Sequence, residues 1–521
     1  MEINRKYIKD RVISEVYSES VGDYVLPDYN GDVRKILFTK ARVLPSGKFP
    51  SGDSVQFAGV VSYNVVYLDN ENNVTHCDFT ADYDVGVKCC EDTFRDADID
   101  TELESYTVRL NGPRKFSVKA MLDSTVHILE DECIGCTGDA LLSDEAELLT
   151  KDIKIRCSAI GSSDEREYAE ELQHIDGVIA DEVEVLYTDS EVKITSASFS
   201  DGSGEHKGEI KVTSLVKCGK EVPHLVEKSI PFEETFSFDD GSYTGELVSE
   251  SVRSSLTVSS VRCNVVADED GVGIMASVIT DGKMRVDGNV DAVLVKDCFL
   301  TSSGCDNEDA LFHYKELVAS AECVREVASS YSRETLGCES VRNFLISDAS
   351  VRVDDVKCLA DSVNITGEVR FSGIACEITA DGEAVYNNVK VNVPFNENVN
   401  ISCHIPDGAK IECSASVSSP SLTLDAEGVM AECRVALSFA LTLDRRESFI
   451  ASSNKNDIEY ENDDTLVSVY YPDENETLYD IAKKYHKSRL SIAGANALSE
   501  SVFLDKSSPV SSLGVEKLII R

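Results

Sequence analysis

The residues best suited to chemistry are present in this chain but scattered. Eight histidines, at positions 76, 127, 174, 206, 224, 313, 404 and 486, supply the side chain best placed for proton transfer near neutral pH. None stands in an H-E-x-x-H or comparable ligand spacing. Cys133 and Cys136 form the one C-x-x-C. His127 is near, but two thiolates and one imidazole leave a tetrahedral structural zinc site one ligand short, so the pair reads as solvated or core thiols. Asp96, Asp98 and Asp100 invite a calcium reading, but Thr101 and Thr107 stand where an EF-hand loop needs its Gly and its Glu. That run reads as an acidic, solvated loop. The glycines of Gly202–Gly208 lack the Lys-Ser/Thr ending of a phosphate-binding loop and read as a hairpin loop. No G-x-S-x-G elbow occurs. The sequons at Asn73, Asn364, Asn400 and Asn475 carry no meaning in a cytoplasmic chain. The expectation is a protein with no catalytic residues, no metal and no cofactor.

Residue types suited to binding gather near the C-terminus instead. Tyr470, Tyr471, Glu476, Thr477, Tyr479, Lys483, Lys484, Arg489 and Asn496 fall within one short segment. Aromatics and arginine are enriched at interaction hot spots, so this segment is the expected binding surface. The competing reading is that Tyr471 and Tyr479 only cover a small core.

Those residues need a scaffold, and residues 465–521 read as a small β-α-α-β unit. Leu466–Tyr470 alternates like a strand. Thr477-Leu-Tyr-Asp480 is a variant capping box. Leu478, Ile481, Ala482 and Tyr485 form a helical stripe. Ser488 caps a second helix carrying Leu490 and Ala493, which ends near Asn496, and Lys517–Arg521 closes as a strand.

The rest of the chain repeats. Four landmarks recur three times in the same order: Val33, Val183 and Val341 followed by an apolar cluster (Ile36-Leu37, Leu186-Tyr187, Phe344-Leu345); Gly59, Gly208 and Gly367 opening an alternating run; Phe79, Phe232 and Phe395 after Asp or Pro; and the turn glycines Gly112, Gly271 and Gly428. Their spacing suits a whole domain. Period-two runs such as Gly367-Glu-Val-Arg-Phe371 predict half-buried strands, and Asp270-Gly271, Asp281-Gly282 and Asp381-Gly382 predict hairpins. The predicted fold is mainly β: three repeated antiparallel β-sandwich or barrel-like domains, then the small C-terminal unit. The expected boundaries are an N-terminal extension over 1–19, repeats over 20–130, 176–290 and 330–445, partly helical connectors over 131–175 and 291–329, and a polar linker over 446–464. Helical spacing of Leu317, Ala321, Val324 and Ala328 motivates the second connector.

Composition narrows the partners. With 94 acidic and 50 basic residues among 521, the formal charge is −44. That disfavours nucleic acid, whose binding needs clustered Lys and Arg, and anionic membrane surfaces. No apolar run approaches the length of a membrane span. The 17 cysteines are odd in number and lie in apolar runs, and no secretory signal is visible, so a reducing cytoplasm with few or no disulfides is expected.

The run Glu476–Tyr485, with Asn496 and the terminal Leu518-Ile519-Ile520, resembles a LysM module. Asn475-Glu476 replaces its usual Gly-Asp, and Leu513-Gly514 its usual Pro-Gly. Three β-repeats ahead of one LysM-like end are similar to SPOCS-domain proteins of spore-forming Firmicutes, the SipL-like group. Val25-Leu26-Pro27-Asp28, Val33…Ile36-Leu37, Gly59…Tyr63…Tyr67, Pro231-Phe232 and Pro394-Phe395 carry that resemblance. It implies a non-enzymatic scaffold in spore coat and cortex assembly, acting in the mother-cell cytoplasm at the forespore surface. It implies docking of a SpoIVA-like coat ATPase or another coat protein through the LysM-like end. A peptidoglycan-binding protein is the alternative that a LysM module implies, and Asn475-Glu476 counts against it.

Overall fold

The computed structural model describes residues 5–28, 30–200, 202–219, 222–238, 248–379, 383–425, 428–460, 467–498, 509–510 and 515–521. The molecule is mainly β, built of antiparallel sheets. Its first strands are β1 (Arg5–Val25), β2 (Val33–Ser51), β3 (Ser54–Asp69), β4 (Val74–Lys88), β5 (Phe94–Leu110) and β6 (Lys115–Ile134). They make two three-stranded sheets, ordered β2-β3-β4 and β1-β6-β5. Side chains alternate across each pleat, so one face of a strand can be wholly apolar. In β4, Cys77, Phe79, Ala81, Tyr83, Val85 and Val87 are buried and the residues between them exposed. They share one core with Phe116 and Leu122 of β6.

The same orders recur twice. The strands β7 (Ala146–Ser162), β8 (Arg166–Asp176), β9 (Val183–Ser200), β10 (Ser203–Cys218), β11 (His224–Phe238), β12 (Val248–Ala267) and β13 (Gly271–Leu300) give β9-β10-β11 and β7-β13-β12. Here β8 is added against β13, and a short ladder from β11 to β7 joins both orders into one sheet. The strands β14 (Ser303–Tyr331), β15 (Val341–Cys358), β16 (Ser362–Ile378), β17 (Ala384–Asn400), β18 (Lys410–Leu424) and β19 (Val429–Glu459) give β15-β16-β17 and β14-β19-β18. The chain ends in β20 (Ser468–Tyr470), α1 (Leu478–Tyr485), α2 (Arg489–Ala495) and β21 (Leu518–Ile520), with β20 paired to β21.

Glycine makes the middle hairpins alike. Gly59, Gly208 and Gly367 lie opposite Tyr83, Phe232 and Phe395 on the next strand. A Cβ on any of them would meet that ring at 2.6–2.7 Å, so the bare backbone is what lets the ring lie flat across it. The aromatic partner in the first hairpin is therefore Tyr83, and not Phe79 as the sequence landmark suggests. Phe79 lies opposite Tyr63 and stacks on it.

Several expected boundaries are corrected. Residues 5–19 are not an extension but most of β1, paired with β6. The stretches read as partly helical connectors are strands: β7 and β8 occupy most of 131–175, and β13 and β14 run through 291–329. Only a 3-10 turn at Ala140–Leu142 is helical there. The four residues at helical spacing do not share a face: Leu317 is buried and Ala321 half-buried, but Val324 and Ala328 are exposed, and the register shifts between Leu317 and Ala319. A bulge switches the inward face, from Phe312 and Tyr314 before it to Ala319, Ala321, Cys323 and Val327 after it, and so breaks the period of two. The linker is also shorter than expected, because β19 continues to Glu459 and buries Ile450 against Cys136, Val295 and Cys298. Residues 461–464 lie outside the described ones.

Asp270-Gly271 turns as expected, with Asp268 N donating to Gly271 O at 3.1 Å. Asp281-Gly282 does not: it lies inside β13, where a Cβ on Gly282 would meet Glu234 and Ser163 at 2.5 Å. Asp381-Gly382 lies outside the described residues. All 17 cysteines are free thiols. Asp96, Asp98 and Asp100 lie on β5 rather than in a loop, with Lys48 and Lys283 as counter-charges.

The three middle hairpins meet. Leu37 and Phe38, Leu186 and Tyr187, and Leu345 and Ile346 join one buried cluster with Val66, Leu215 and Ile374. Each pair sits a few residues into its strand, after the valines that open β2, β9 and β15. Burying six side chains of this size contributes about 10 kcal/mol in gross terms, enough to fuse the groups rather than let them swing.

Candidate functional site

The C-terminal segment is folded by its caps. Thr477 Oγ1 accepts from the Asp480 amide at 3.2 Å, and Asp480 Oδ2 accepts from the Thr477 amide at 3.0 Å. This reciprocal pair satisfies two orphan donors at the start of α1. Ser488 caps α2 with a single bond, its Oγ accepting from the Ser491 amide at 3.1 Å. Inside, Leu478, Tyr479, Ile481, Ala482, Ile492, Val510, Leu518 and Ile520 form a core that continues into Phe299 of β13.

That continuity redraws the expected surface. Tyr479 is 1% exposed, and its ring meets Phe299 edge-on at 5.3 Å. Burial pushes its phenol far above the ordinary range, so it stays neutral. Arg489 grips Glu147 of β7, with Nε donating to Oε2 at 2.7 Å and its own amide donating to Oε1 at 3.1 Å. The guanidinium also lies 5.6 Å from the Tyr479 ring centre. Lys483 pairs with Asp297 of β13. Asn496 bolts the last strand to α2: its Nδ2 donates to Ile492 O and Ile519 O, and its Oδ1 accepts from the Ile519 amide at 2.6 Å. Tyr479, Lys483, Arg489 and Asn496 therefore hold the module together and to the β body.

The remaining expected residues stay nearer the surface. The Tyr470 hydroxyl donates to Glu476 at 2.7 Å and accepts from Lys484 Nζ at 2.9 Å. Glu476 also accepts from the Asp473 amide at 3.0 Å. Tyr471 is 69% exposed. With Val467 and Val469 it forms an exposed apolar row beside the short strand β20, and Leu490 is exposed on α2. Sequence reasoning did not include Val467, Val469 or Leu490. Their signal was available, since alternate positions of a short strand must point away from a core on one side only.

Two charge clusters, the first half-buried and the second buried, were not legible in the sequence. In the first, Lys40 of β2 lies 2.8 Å from Asp189 of β9 and 2.5 Å from Asp348 of β15, beside Arg42, which donates to Asp189 and to Ser190 O. Burial raises the Asp189 carboxyl, but Lys40 and Arg42 outweigh it and hold it at about 2. A cavity of about 910 Å³ opens beside this cluster, with Leu103, Leu256 and Pro420 in its walls. In the second, Arg285 Nη2 contacts Asp10 Oδ2 at 2.8 Å and Asp287 Oδ1 at 3.1 Å. Ser158 bridges the same carboxylates, and His127 Nδ1 lies 3.2 Å from Asp10. Arg253 reaches Asp287 at 2.6 Å, and Arg156 forks onto Glu412 at 2.8 and 2.9 Å. Burial opposes ionisation of Asp287, and three guanidiniums reverse it, holding its carboxyl well below the usual range. Strands from all three six-stranded orders contribute. Among the described residues no group of three or more His, Cys, Asp and Glu is placed to hold a metal ion. No described helix is long and apolar enough to cross a membrane.

No protein-family profile matches the chain, and no curated protein matches it.

Proposed function

We propose that the chain is a non-enzymatic scaffold or adaptor in assembly of a bacterial spore envelope. On this reading it docks a coat morphogenetic partner, a SpoIVA-like ATPase or another coat protein, through its LysM-like end at the forespore surface. The supporting observation is the threefold recurrence of one pair of sheet orders ahead of a single β-α-α-β module, the same ordered layout that the sequence motifs resemble. The three groups are then SPOCS-type domains fused around one centre. The docking face is the row Val467, Val469 and Tyr471, because Tyr479, Lys483, Arg489 and Asn496 are engaged internally. Among the described residues β20 pairs only with β21, and such a strand edge beside exposed apolar side chains suits added-strand recognition.

The test is imaging of the tagged full-length protein through sporulation of a spore-forming host. A ring around the forespore is expected. A V469D/Y471A variant of unchanged thermal stability is expected to turn it diffuse. A signal along the cell wall, or sedimentation of the purified chain with peptidoglycan, replaces the adaptor with the glycan-binding reading.

A further inference from the structure

The first strands of the three six-stranded orders, β1, β7 and β14, converge with β19 around a cavity of about 380 Å³. This chain carries a net charge of −44, yet Lys9, Arg11, Arg156, Lys315 and Arg445 all line that one cavity. The two acids in its wall are already neutralised. Asp10 is held by Arg285 and His127, and Asp444 lies 2.7 Å from Lys410.

Several of the cations have partners that stand behind the wall: Glu132 for Lys9, Glu130 for Arg11, Glu316 for Arg445 and Glu412 for Arg156. Donor capacity is left over all the same. The Nε–H groups of both Arg11 and Arg156 are buried with no acceptor among the described residues. Arg156 is only 3% exposed, so its spare donor is not compensated by bulk solvent. Lys315 is half-buried and has no ion-pair partner among the described residues. A buried donor left unpaired costs about 1–3 kcal/mol, and more when charged. Those two Nε–H groups are closed off from the cavity space, so it is the ammonium of Lys315, beside Lys9, Arg11 and Arg445 in one wall, that an acceptor-rich ligand would complete. The volume lies in the range of small-molecule sites and is too small for a folded partner.

We propose that this cavity binds a compact organic polyanion, one that presents phosphate or carboxylate oxygens to Lys9, Arg11, Lys315 and Arg445. Because the wall comes from all three strand groups, a bound polyanion also cross-links them. It stabilises the folded chain by an amount that rises with the logarithm of its free concentration above Kd.

The test is calorimetric titration of the full-length chain with two probes, inorganic pyrophosphate and citrate, at physiological ionic strength. Saturable binding of one probe molecule per chain is expected, with a concentration-dependent rise in Tm. Preference for pyrophosphate assigns the site to a phosphate-bearing ligand, and preference for citrate to a carboxylate-bearing one. K315E, and K315M as the milder replacement, are expected to weaken binding by about tenfold or more. K207E, which removes an exposed cation elsewhere, is expected to leave it unchanged. Absence of saturable binding overturns the proposal. So does equal weakening by K315E and K207E, which would reduce the effect to general surface charge.

Discussion

Lys40 and Asp189 form an ion pair at 2.8 Å although they occupy the same position in two successive hairpins. Each stands three residues after the leucine, Leu37 or Leu186, that enters the shared core, and Asp348 stands in the same relation to Leu345. Three like residues there would repel one another. One lysine between two aspartates, with Arg42 alongside, makes the hairpins unequal and fixes which neighbours which. A charge device of this kind sets arrangement more than it adds stability.

Removing Lys40 should therefore be costly. K40M leaves Asp189 and Asp348 facing each other at low exposure, and a loss of about 3–5 kcal/mol is expected in urea unfolding. The double variant K40M/D189N should recover part of that loss. A K40M chain as stable as the parent would show that the pair contributes nothing.

Acid should act on the same pair. The Asp189 carboxyl is held at about 2 when folded, below the value near 4 of an unfolded chain. A depressed folded value contributes stability that is present above the unfolded value and lost as pH falls through the folded one. The loss is expected between about pH 4 and pH 2 and amounts to about 2 kcal/mol. Comparing the pH dependence of unfolding for the parent and D189N isolates this contribution, which D189N should lack.

The glycine–ring pairs should differ in tolerance. A Cβ at Gly208 or Gly367 meets backbone oxygens, Lys193 O at 2.1 Å and Arg352 O at 2.3 Å, besides the opposing ring. At Gly59 its nearest contacts are on the Tyr83 ring alone, which can rotate away. G208A and G367A are expected to cost about 1–3 kcal/mol. G59A should cost less. Thermal unfolding of the three variants gives the order directly.

Docking of the C-terminal module should depend on Phe299 and Glu147. F299A removes the ring under Tyr479 and should cost about 3 kcal/mol. A double-mutant cycle on Arg489 and Glu147, each about one-eighth exposed, should give a coupling of about 1–3 kcal/mol. Hydrogen exchange over residues 478–495 is expected to rise in F299A while the β body keeps its protection. Equal exchange in both would place the module's stability elsewhere.

Much of this molecule was written locally. Alternation in β4, β10 and β16 specified strands. The valines at 33, 183 and 341 marked the starts of β2, β9 and β15, and Gly112, Gly271 and Gly428 marked three hairpin turns. Thr477 and Ser488 announced the two short helices through their caps. These signals survive because each depends on neighbours within a few residues. The opening strands β1, β7 and β14 were missed for the converse reason. Their partners β6, β13 and β19 lie far along the chain, and a bulge in β14 disturbs its period.

The candidate surface divides in the same way. Tyr471 could be placed outside from the residues around it. The inward turn of Tyr479 and Arg489 could not, because Phe299 and Glu147 are 180 and 342 residues away and composition does not pair them. The sequence alone determined the strand and helix types, the turns, the caps and the threefold recurrence, since backbone sterics and side-chain period act over short range. Only the tertiary structure decided that Lys40 meets Asp189 and Asp348, that cations line one cavity of an acidic chain, and that Tyr479, Lys483, Arg489 and Asn496 of the expected surface are engaged internally. Those outcomes depend on long-range closure and low-dielectric burial, which bring together charges that no spacing in the chain connects.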